Sequence, residues 1–334
     1  MTLSDDTEAR SAEREKVRRA LQHLDVTSGR GLELGALDRP LVQRSQADIG
    51  YVDLTDTESL RAHYAQDPSV RGEDLVEVDF TLLHDGQNRT LAEATNGSGI
   101  YAWVVASHVV EHVPDLIAFL ADVAEVLVDG GRLALVVPDS RYSFDALRPP
   151  TTVGEILLAH HQKDRRPSLR AVFDHFTDAV SLTAAALWEG AQPTTGDHLH
   201  PPQMAWDNAL RWQAGEYIDC HAWLFTPDTL VEQLRQLALG GLSDFTVAAI
   251  SPTKTYEAEF FATLQRVPRD LANRARYELL QSGFDPIVTS PVSVASQLAP
   301  TSAEHHMVVS ERERKAIEAK RRLGNFLRRS ARSD

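Results

Sequence analysis

The sequence predicts an α/β protein in which a mostly parallel sheet carries helices on its faces. Three observations predict it: short apolar stretches recur up to residue 139, helical or loop segments separate them, and acidic residues follow the ends of successive stretches. Strands that alternate with helices favour parallel pairing, because a crossover returns the chain to the starting end of the sheet. The strand candidates are 31–34, 49–54, 75–80, 102–106 and 132–137.

Helical patterns flank and separate these strands. The first 24 residues mix charged and small side chains, which predicts a solvent-facing N-terminal helix. Apolar residues at helical spacing from Leu116 to Leu127, followed by Gly130 and Gly131, predict a helix between the fourth and fifth strands. Thr226 and Pro227 are typical of an N-cap and a first helical turn, and they predict a later helix.

The later part of the chain departs from the alternation. Residues 149–222 are rich in His, Trp and Pro, which predicts a mainly helical insertion that covers the substrate. Strands at 245–251 and 258–267 are separated by a link short enough for an antiparallel hairpin, and one more helix follows residue 268. We expect an N-terminal helix (1–24), a core (25–148), the insertion (149–222), the end of the core (223–267) and a C-terminal extension with a basic helix (268–334).

Composition narrows the class of protein. A net charge of −14 argues against a general nucleic-acid binder, and the single cysteine, Cys220, excludes an intrachain disulfide framework and fits a reducing cytoplasm. No stretch has the roughly 18 apolar residues of a membrane span, and the N-terminus lacks an apolar signal core. We therefore expect a soluble, cytoplasmic protein. The basic segment 310–334 suits contact with an anionic membrane surface, although a solvated tail is favoured.

Acidic residues at the ends of three predicted strands indicate a ligand site. Glu33 and Gly35 end the first strand, where backbone N–H groups can approach a ligand. Glycines at 29, 31 and 35 are spaced too widely for the dinucleotide fingerprint, so NAD is disfavoured. Asp53, with Asp56 as a competitor, ends the second strand, and Asp79 ends the third. Each alone fits a capping role, but three in succession favour a ligand at the strand ends.

The stretch 104–139, VVASHVVEHVPDLIAFLADVAEVLVDGGRLALVVPD, resembles class I S-adenosylmethionine-dependent methyltransferases of the ubiquinone-pathway-like group. The resemblance runs over 29–139 and returns more weakly at 223–267. It implies a Rossmann-like sheet of seven strands, mostly parallel with an antiparallel last strand, a helical insertion between strands five and six, and S-adenosylmethionine as cofactor. Asp38, Arg39 and Pro40 are similar to a subgroup found beside glycosyltransferases.

The resemblance also implies roles for individual residues. Leu37 stands where the family usually has a second glycine, which narrows the cofactor loop. The residues implied at the cofactor are Glu33, Gly35 and Ala36 at its methionine end, Asp53 and Leu54 at the ribose, Asp79 and Phe80 near the adenine, and Ser107 and His108 facing both cofactor and substrate.

Residues 108–112 spell H-x-x-E-H and leave three interpretations open. The pattern is the signature of inverzincin zinc proteases, and histidines four residues apart on a helix can share one metal. A strand before the motif and Val113-Pro114 after it disfavour the long helix of a protease. The second interpretation is a metal that assists methyl transfer. The third, which we favour, is a turn that fixes Glu111 and His112 by backbone hydrogen bonds, with no metal bound.

A hydroxyl acceptor must lose its proton during methyl transfer, and His108 is the first candidate base, with Asp139 and His221 behind it. The segment 138–152 follows strand five, and its arginines suit an acidic acceptor or simply pair with nearby carboxylates. The histidines of the insertion region, which fit a metal site, a base or a plain surface, are His160, His161, His175, His198, His200 and His221.

These observations predict a methyltransferase that modifies a hydroxyl, or another nucleophile, of a small molecule or saccharide, without general nucleic-acid binding. Two other functions remain as alternatives. Leu37 and the long extensions are compatible with an inactive cofactor-fold protein that serves as a binding partner. The histidine-rich insertion is compatible with a metal-dependent hydrolase.

Overall fold

The computed structural model describes residues 3–284, with side chains from residue 11, and its elements follow the predicted alternation. The strands are β1 (Gly31–Leu34), β2 (Ile49–Asp53), β3 (Phe80–Thr81), β4 (Leu83–His84), β5 (Gln87–Asn88), β6 (Tyr101–Ser107), β7 (Leu127–Pro138), β8 (Phe245–Ser251) and β9 (Glu259–Arg266). The α-helices are α1 (Leu3–Leu21), α2 (Thr57–His63), α3 (Leu91–Thr95), α4 (Leu116–Val126), α5 (Val153–Gln162), α6 (Leu169–Asp178), α7 (Ala184–Trp188), α8 (Pro202–Gln213), α9 (Pro227–Leu239) and α10 (Asn273–Ser282).

The main sheet has seven strands in the order β3-β2-β1-β6-β7-β9-β8. Strand β1 pairs in parallel with both β2 and β6, and β6 pairs in parallel with β7. Strand β9 runs antiparallel to β7 and β8, so the last strand reverses as predicted. The strand order changes direction between β1 and β6, and ligands of such sheets bind beyond the carboxyl ends of strands at that point.

Apolar residues cover both faces of the central strands. All but one of the residues of β7 from Gly131 to Pro138 are buried, because helices pack on both sides of a parallel sheet. Helix α4 begins after Asp115, whose side chain accepts a hydrogen bond from the Ala118 backbone N–H, and buries Leu120 and Val123 against one face. This helix confirms the prediction made from the spacing of apolar residues.

The N-terminal helix is less solvent-facing than predicted. The last part of α1 packs on the sheet, where Arg19 and Ala20 are buried and the Arg19 guanidinium lies 4.3 Å from the Phe261 ring centroid. Arg19 also pairs with Glu257 beyond β8. The long aliphatic part of an arginine side chain can pack on an apolar surface while its guanidinium group pairs with a carboxylate. The charged residues of α1 therefore led the sequence analysis to underestimate how much of this helix is buried.

The third strand is shorter than predicted, and Asp79 precedes it instead of ending it. The predicted strand covered 75–80, but β3 contains Phe80 and Thr81 alone. Backbone groups of the preceding residues bond elsewhere: Val76 N–H donates to the Leu37 carbonyl, and Val78 N–H donates to the Thr57 hydroxyl. These two bonds take the place of the strand pairing with β2 that the apolar residues at 75–80 predicted.

The region between the fifth and sixth strands of the main sheet is helical, as predicted. Helix α5 adds Ile156 and Ala159 to the main core, while α6 and α8 pack on each other around a small cluster that includes Cys220, a buried free thiol. Helix α10 lies where one further helix was expected, and the basic segment 310–334 is outside the described residues. In the part of the chain that the structure describes, no helix is both long and apolar enough to span a membrane.

Candidate active site

Four neighbouring strands, β2, β1, β6 and β7, end at the same edge of the sheet. Leu37, three residues after β1, and His108, directly after β6, have left-handed backbone conformations, with φ of 48° and 55°. Such conformations are costly for residues other than glycine and concentrate at functional sites. This edge of the sheet therefore has the backbone features of a ligand site.

The loop after β1 is fixed by a buried carboxylate. Glu33 accepts hydrogen bonds from the backbone N–H groups of Leu41 (2.7 Å) and Val42 (3.1 Å). Burial raises the pKa of Glu33 to about 7, and the two backbone hydrogen bonds oppose that rise. Glu33 therefore shapes the loop through its backbone.

Leu37 keeps the loop path that the expected glycine would allow. Its φ of 48° lies in the region that glycine adopts freely, at a cost of roughly 1–2 kcal/mol for other residues. Gly35 has a φ of 65°, and a Cβ atom there would lie 3.1 Å from the Val109 side chain. The backbone of this loop can thus approach a ligand despite the substitution at 37.

Asp53, at the end of β2, has a carboxylate that other side chains leave unneutralised. Its Oδ1 atom accepts a hydrogen bond from the Leu54 N–H at 2.7 Å, and no described residue forms an ion pair with it. Burial raises its pKa. A carboxylate with free acceptor capacity at this edge suits a ligand with hydroxyl donors. The Leu54 side chain is exposed beside it.

Asp79 and Phe80 do not end a strand at this edge. The Asp79 carboxylate accepts hydrogen bonds from the Tyr51 backbone N–H and from Arg44, both at 2.7 Å, part-way along β2. The Phe80 ring packs over Gly50. Arg44 and the backbone of β2 therefore engage Asp79 in a structural role, and Thr81 ends the strand in its place.

His108, which follows β6, lies between two carboxylates. Its Nε2 atom is 2.8 Å from Glu259 Oε1 and its Nδ1 atom is 3.3 Å from Glu111 Oε1. Burial lowers the pKa of His108, but the two carboxylates outweigh that effect and raise it to about 9. Lys16 also contacts Glu259, at 3.1 Å. A protonated ring at neutral pH has no free lone pair, so this arrangement does not suit His108 as a base.

Glu111, His112 and His221 form a cluster, the Glu-His cluster, whose potential ligand atoms all lie within 4.8 Å of one another. The Glu111 carbonyl accepts hydrogen bonds from Ala222 N–H (2.7 Å) and Trp223 N–H (3.2 Å), which hold His221 beside the turn after β6. The two imidazole rings are 4.8 Å apart and nearly perpendicular. Backbone hydrogen bonds fix the turn at Glu111, as the favoured interpretation of the H-x-x-E-H motif expected. That interpretation did not place His221 beside the turn.

Each histidine of the Glu-His cluster is oriented by a carboxylate. His112 Nδ1 lies 2.9 Å from Asp219 Oδ1, and His221 Nδ1 lies 2.6 Å from Asp145 Oδ2. An Nδ1–H that donates to a carboxylate leaves the lone pair on Nε2. Burial raises the pKa of Asp145, but His221 and Arg148 reverse that effect and hold it well below its usual range.

Asp139 is fully buried and its carboxylate is occupied by other residues. Arg141 contacts both oxygens, at 2.9 and 2.6 Å, and the Thr253 hydroxyl donates to Oδ2 at 2.6 Å. With both oxygens engaged, Asp139 does not suit the role of base that was expected from the sequence. The arginines of this segment pair with carboxylates, since Arg148 also contacts Asp145 at 2.7 Å.

Of the histidines in the insertion region, His221 joins the cluster, whereas His160 contacts Asp115 (3.0 Å) and His175 packs near the Phe144 ring. The sequence interpretation missed Glu259, Asp145 and Asp219. The first two reach their partners through contacts 151 and 76 residues apart, which local patterns do not signal.

Comparisons with known proteins address the family. A family model described as a methyltransferase domain matches residues 6–239. A search of curated protein sequences found no significant match. Solved structures that align include the CurJ carbon methyltransferase (TM-score 0.35, 15% identity, 74% of this chain and 51% of that one). They also include a putative Zn-dependent alcohol dehydrogenase from Rhodobacter sphaeroides (0.41, 14%, 75% and 89%) and a putative S-adenosylmethionine-dependent methyltransferase from Listeria monocytogenes (0.39, 11%, 78% and 100%).

The chain thus spans about half the length of the CurJ structure. At these TM-scores the individual structures carry no inference about the reaction. The family match covers more than half of the sequence, and the seven-stranded sheet with its reversed last strand agrees with it. The chain belongs to the class I methyltransferases, whose cofactor is S-adenosylmethionine.

Proposed function

We propose that this protein transfers a methyl group from S-adenosylmethionine to a hydroxyl of a small molecule or saccharide. The observation that carries the proposal is the position of the Glu-His cluster, directly after β6 and beside the strand ends where the cofactor binds in this fold. A cluster of one carboxylate and two imidazoles suits an acceptor that must lose a proton.

The residues at this edge fit the cofactor. Asp53 offers a partly buried carboxylate without a cationic partner among the described residues, which suits ribose hydroxyl donors. Gly35 and Leu37 let the backbone of the loop approach the methionine end. When bound, the cofactor supplies an electrophilic methyl group on a sulfonium sulfur, which keeps the bonding electron pair as the methyl leaves.

The residues of the chain bind, align and activate the acceptor. Asp145 faces the Nδ1 atom of His221, an arrangement that favours the tautomer with a lone pair on Nε2, where a hydroxyl proton or a metal ion can bind. The positive charge of His108 between Glu111 and Glu259 fixes the turn after β6. Alignment of the acceptor oxygen with the methyl group supplies much of the rate enhancement in such reactions.

The proposal is tested with the full chain in two steps. Calorimetric titration with S-adenosylhomocysteine should show binding to one site per chain. Incubation with a small-molecule extract and isotope-labelled cofactor should then place the label on an oxygen of a hydroxyl-bearing compound, identified by mass spectrometry. Absence of cofactor binding, or label confined to nitrogen or carbon, would contradict the proposal. Binding without any labelled product would indicate the inactive binding protein instead.

A further inference from the structure

Glu111 is a buried carboxylate that the His108 ring contacts at one oxygen atom, Oε1. Its side chain has no exposed surface, and neither oxygen accepts a hydrogen bond from any residue that the structure describes. The His108 ring lies at an ion-pair distance, 3.3 Å from Oε1, and leaves Oε2 without a partner. A buried carboxylate normally has donors or a cation at both oxygens. The Oε2 atom, which His108 does not reach, is therefore placed to bind a positively charged ligand.

Two imidazole rings lie beside that carboxylate. The potential ligand atoms of His112 and His221 lie within 4.8 Å of each other and of a Glu111 oxygen. The Nδ1 atoms of the two rings face Asp219 and Asp145, so the ring nitrogens that remain for a ligand are the Nε2 atoms. Metal-binding histidines usually donate their other nitrogen to a carboxylate in this way.

We propose that Glu111, His112 and His221 bind a divalent first-row transition-metal ion such as Zn²⁺. Two imidazoles and one carboxylate form a ligand set typical of such ions, whereas Mg²⁺ and Ca²⁺ favour oxygen ligands. Two ligand atoms with bonds of about 2.1 Å to one ion lie at most about 4.2 Å apart. The observed 4.8 Å limit therefore requires only small movements of the side chains.

The ion would give the proposed methyl transfer its hydroxyl selectivity, and this part of the inference rests on the proposed function. Three protein ligands leave coordination positions open, and the acceptor oxygen takes one of them. Bound there, the hydroxyl releases its proton to solvent more readily, and the resulting oxygen anion is the nucleophile. The two histidines then act as ligands and do not take up the proton.

Metal binding is tested directly on the full chain after removal of metals with a chelator. Titration with Co²⁺ should give a visible ligand-field band that saturates at one ion per chain and is displaced by Zn²⁺. Calorimetry with Mg²⁺ should show no comparable binding. A chain that gives no Co²⁺ band and binds no Zn²⁺ would overturn the inference.

Variants locate the ion. Glu111→Gln keeps the shape of the side chain and should weaken Co²⁺ binding more than about 100-fold, whereas Asp145→Asn, which acts through His221, should weaken it about 10–100-fold. His160→Gln is the matched control, because His160 pairs with Asp115 and does not belong to the Glu-His cluster, and this variant should bind Co²⁺ as the wild type does. Wild-type affinity in the Glu111 variant, or a loss confined to the His160 variant, would refute the site.

The metal site and the methyl transfer can fail separately. Calorimetry with S-adenosylhomocysteine reports cofactor binding whether or not the ion is bound. Co²⁺ binding without cofactor binding would support the metal site and contradict the proposed function. Methyl transfer to a hydroxyl by a chain that binds no metal would support the proposed function and contradict the metal site. Circular dichroism of the Glu111 variant checks that the chain is folded when Co²⁺ binding is compared.

Discussion

The Nδ1 atom of His221 lies 2.6 Å from Oδ2 of Asp145, and both side chains are buried. Arg148 contacts both residues of this pair: it donates hydrogen bonds to Asp145 Oδ1 at 2.7 Å and to the His221 carbonyl at 3.0 Å. The contact links the segment after β7 to the end of the insertion region. The insertion therefore supplies a side chain to the site and fixes its orientation.

Replacement of Asp145 by asparagine should impair methyl transfer more than cofactor binding. Asparagine can present its amide N–H₂ to Nδ1, which favours the tautomer with its proton on Nε2 and removes the lone pair that the site needs. We expect kcat to fall roughly 100-fold while the affinity for S-adenosylhomocysteine stays within about threefold of wild type.

The matched control for this change is Asp174→Asn on α6. Asp174 pairs with Arg170 at the surface, and exposed ion pairs contribute little to stability. This variant should keep wild-type kcat. Equal losses in both variants would mean that the Asp145 substitution acts by general destabilisation and not through His221.

Asp53 should determine cofactor affinity. Substitution of Asp53 by asparagine removes the charged acceptor at the end of β2, and we expect affinity for S-adenosylhomocysteine to fall about 10-fold, since hydrogen bonds to charged groups contribute about 1.5–3 kcal/mol. Calorimetry measures this directly. Asp79→Asn is the control: Asp79 is engaged by Arg44 and Tyr51, so its loss should lower the melting temperature and leave affinity nearly unchanged. A loss of affinity in the Asp79 variant, with unchanged affinity in the Asp53 variant, would instead indicate that Asp79 binds the cofactor.

Leu37→Gly should leave cofactor affinity nearly unchanged. The loop already has a left-handed conformation at this position, so glycine relieves backbone strain without opening a new path for the ligand. We expect S-adenosylhomocysteine to bind within about threefold of wild type, since a factor of three corresponds to less than 1 kcal/mol. A tenfold gain in affinity, measured by the same titration, would show that the leucine side chain does narrow the site.

The sheet could be predicted from the sequence because each strand and helix carries its own local pattern. Buried central strands have continuous apolar sequences, and Gly130 and Gly131, which lie within β7, show that the helical pattern has ended. The edge strand β3 could not be placed in the same way. Its preceding residues, Val76 and Val78, satisfy their backbone N–H groups with partners outside β2, and such contacts have no local signature.

The site was predictable only in part. Glu111 and His112 belong to one short motif, whereas the partners that decide their chemistry come from distant segments. Glu259 reaches His108 through the antiparallel pairing of β9 with β7, and together with Glu111 it raises the pKa of His108 to about 9, which disfavours the predicted role of a base. The similarity of residues 38–40 to a subgroup found beside glycosyltransferases stays a prediction.

Glu33 should make stability depend on pH. Its pKa is about 7 in the folded chain, because burial disfavours the charged form. In the unfolded chain, where the side chain is exposed to water, the pKa is 4.5. Between these values the folded state holds a proton that the unfolded state has lost, so the contribution of Glu33 to stability is complete below pH 4.5. It is lost as the pH rises to about 7, by roughly 3 kcal/mol in all.

Glu33→Gln removes this titration. The unfolding free energy of the variant relative to wild type, measured by urea denaturation from pH 5 to pH 8, should therefore rise with pH and level off above pH 7. Glu189→Gln, at an exposed position after α7, is the matched control and should show a constant difference. A constant difference for the Glu33 variant as well would mean that the Leu41 and Val42 N–H groups keep the buried carboxylate ionised throughout this range.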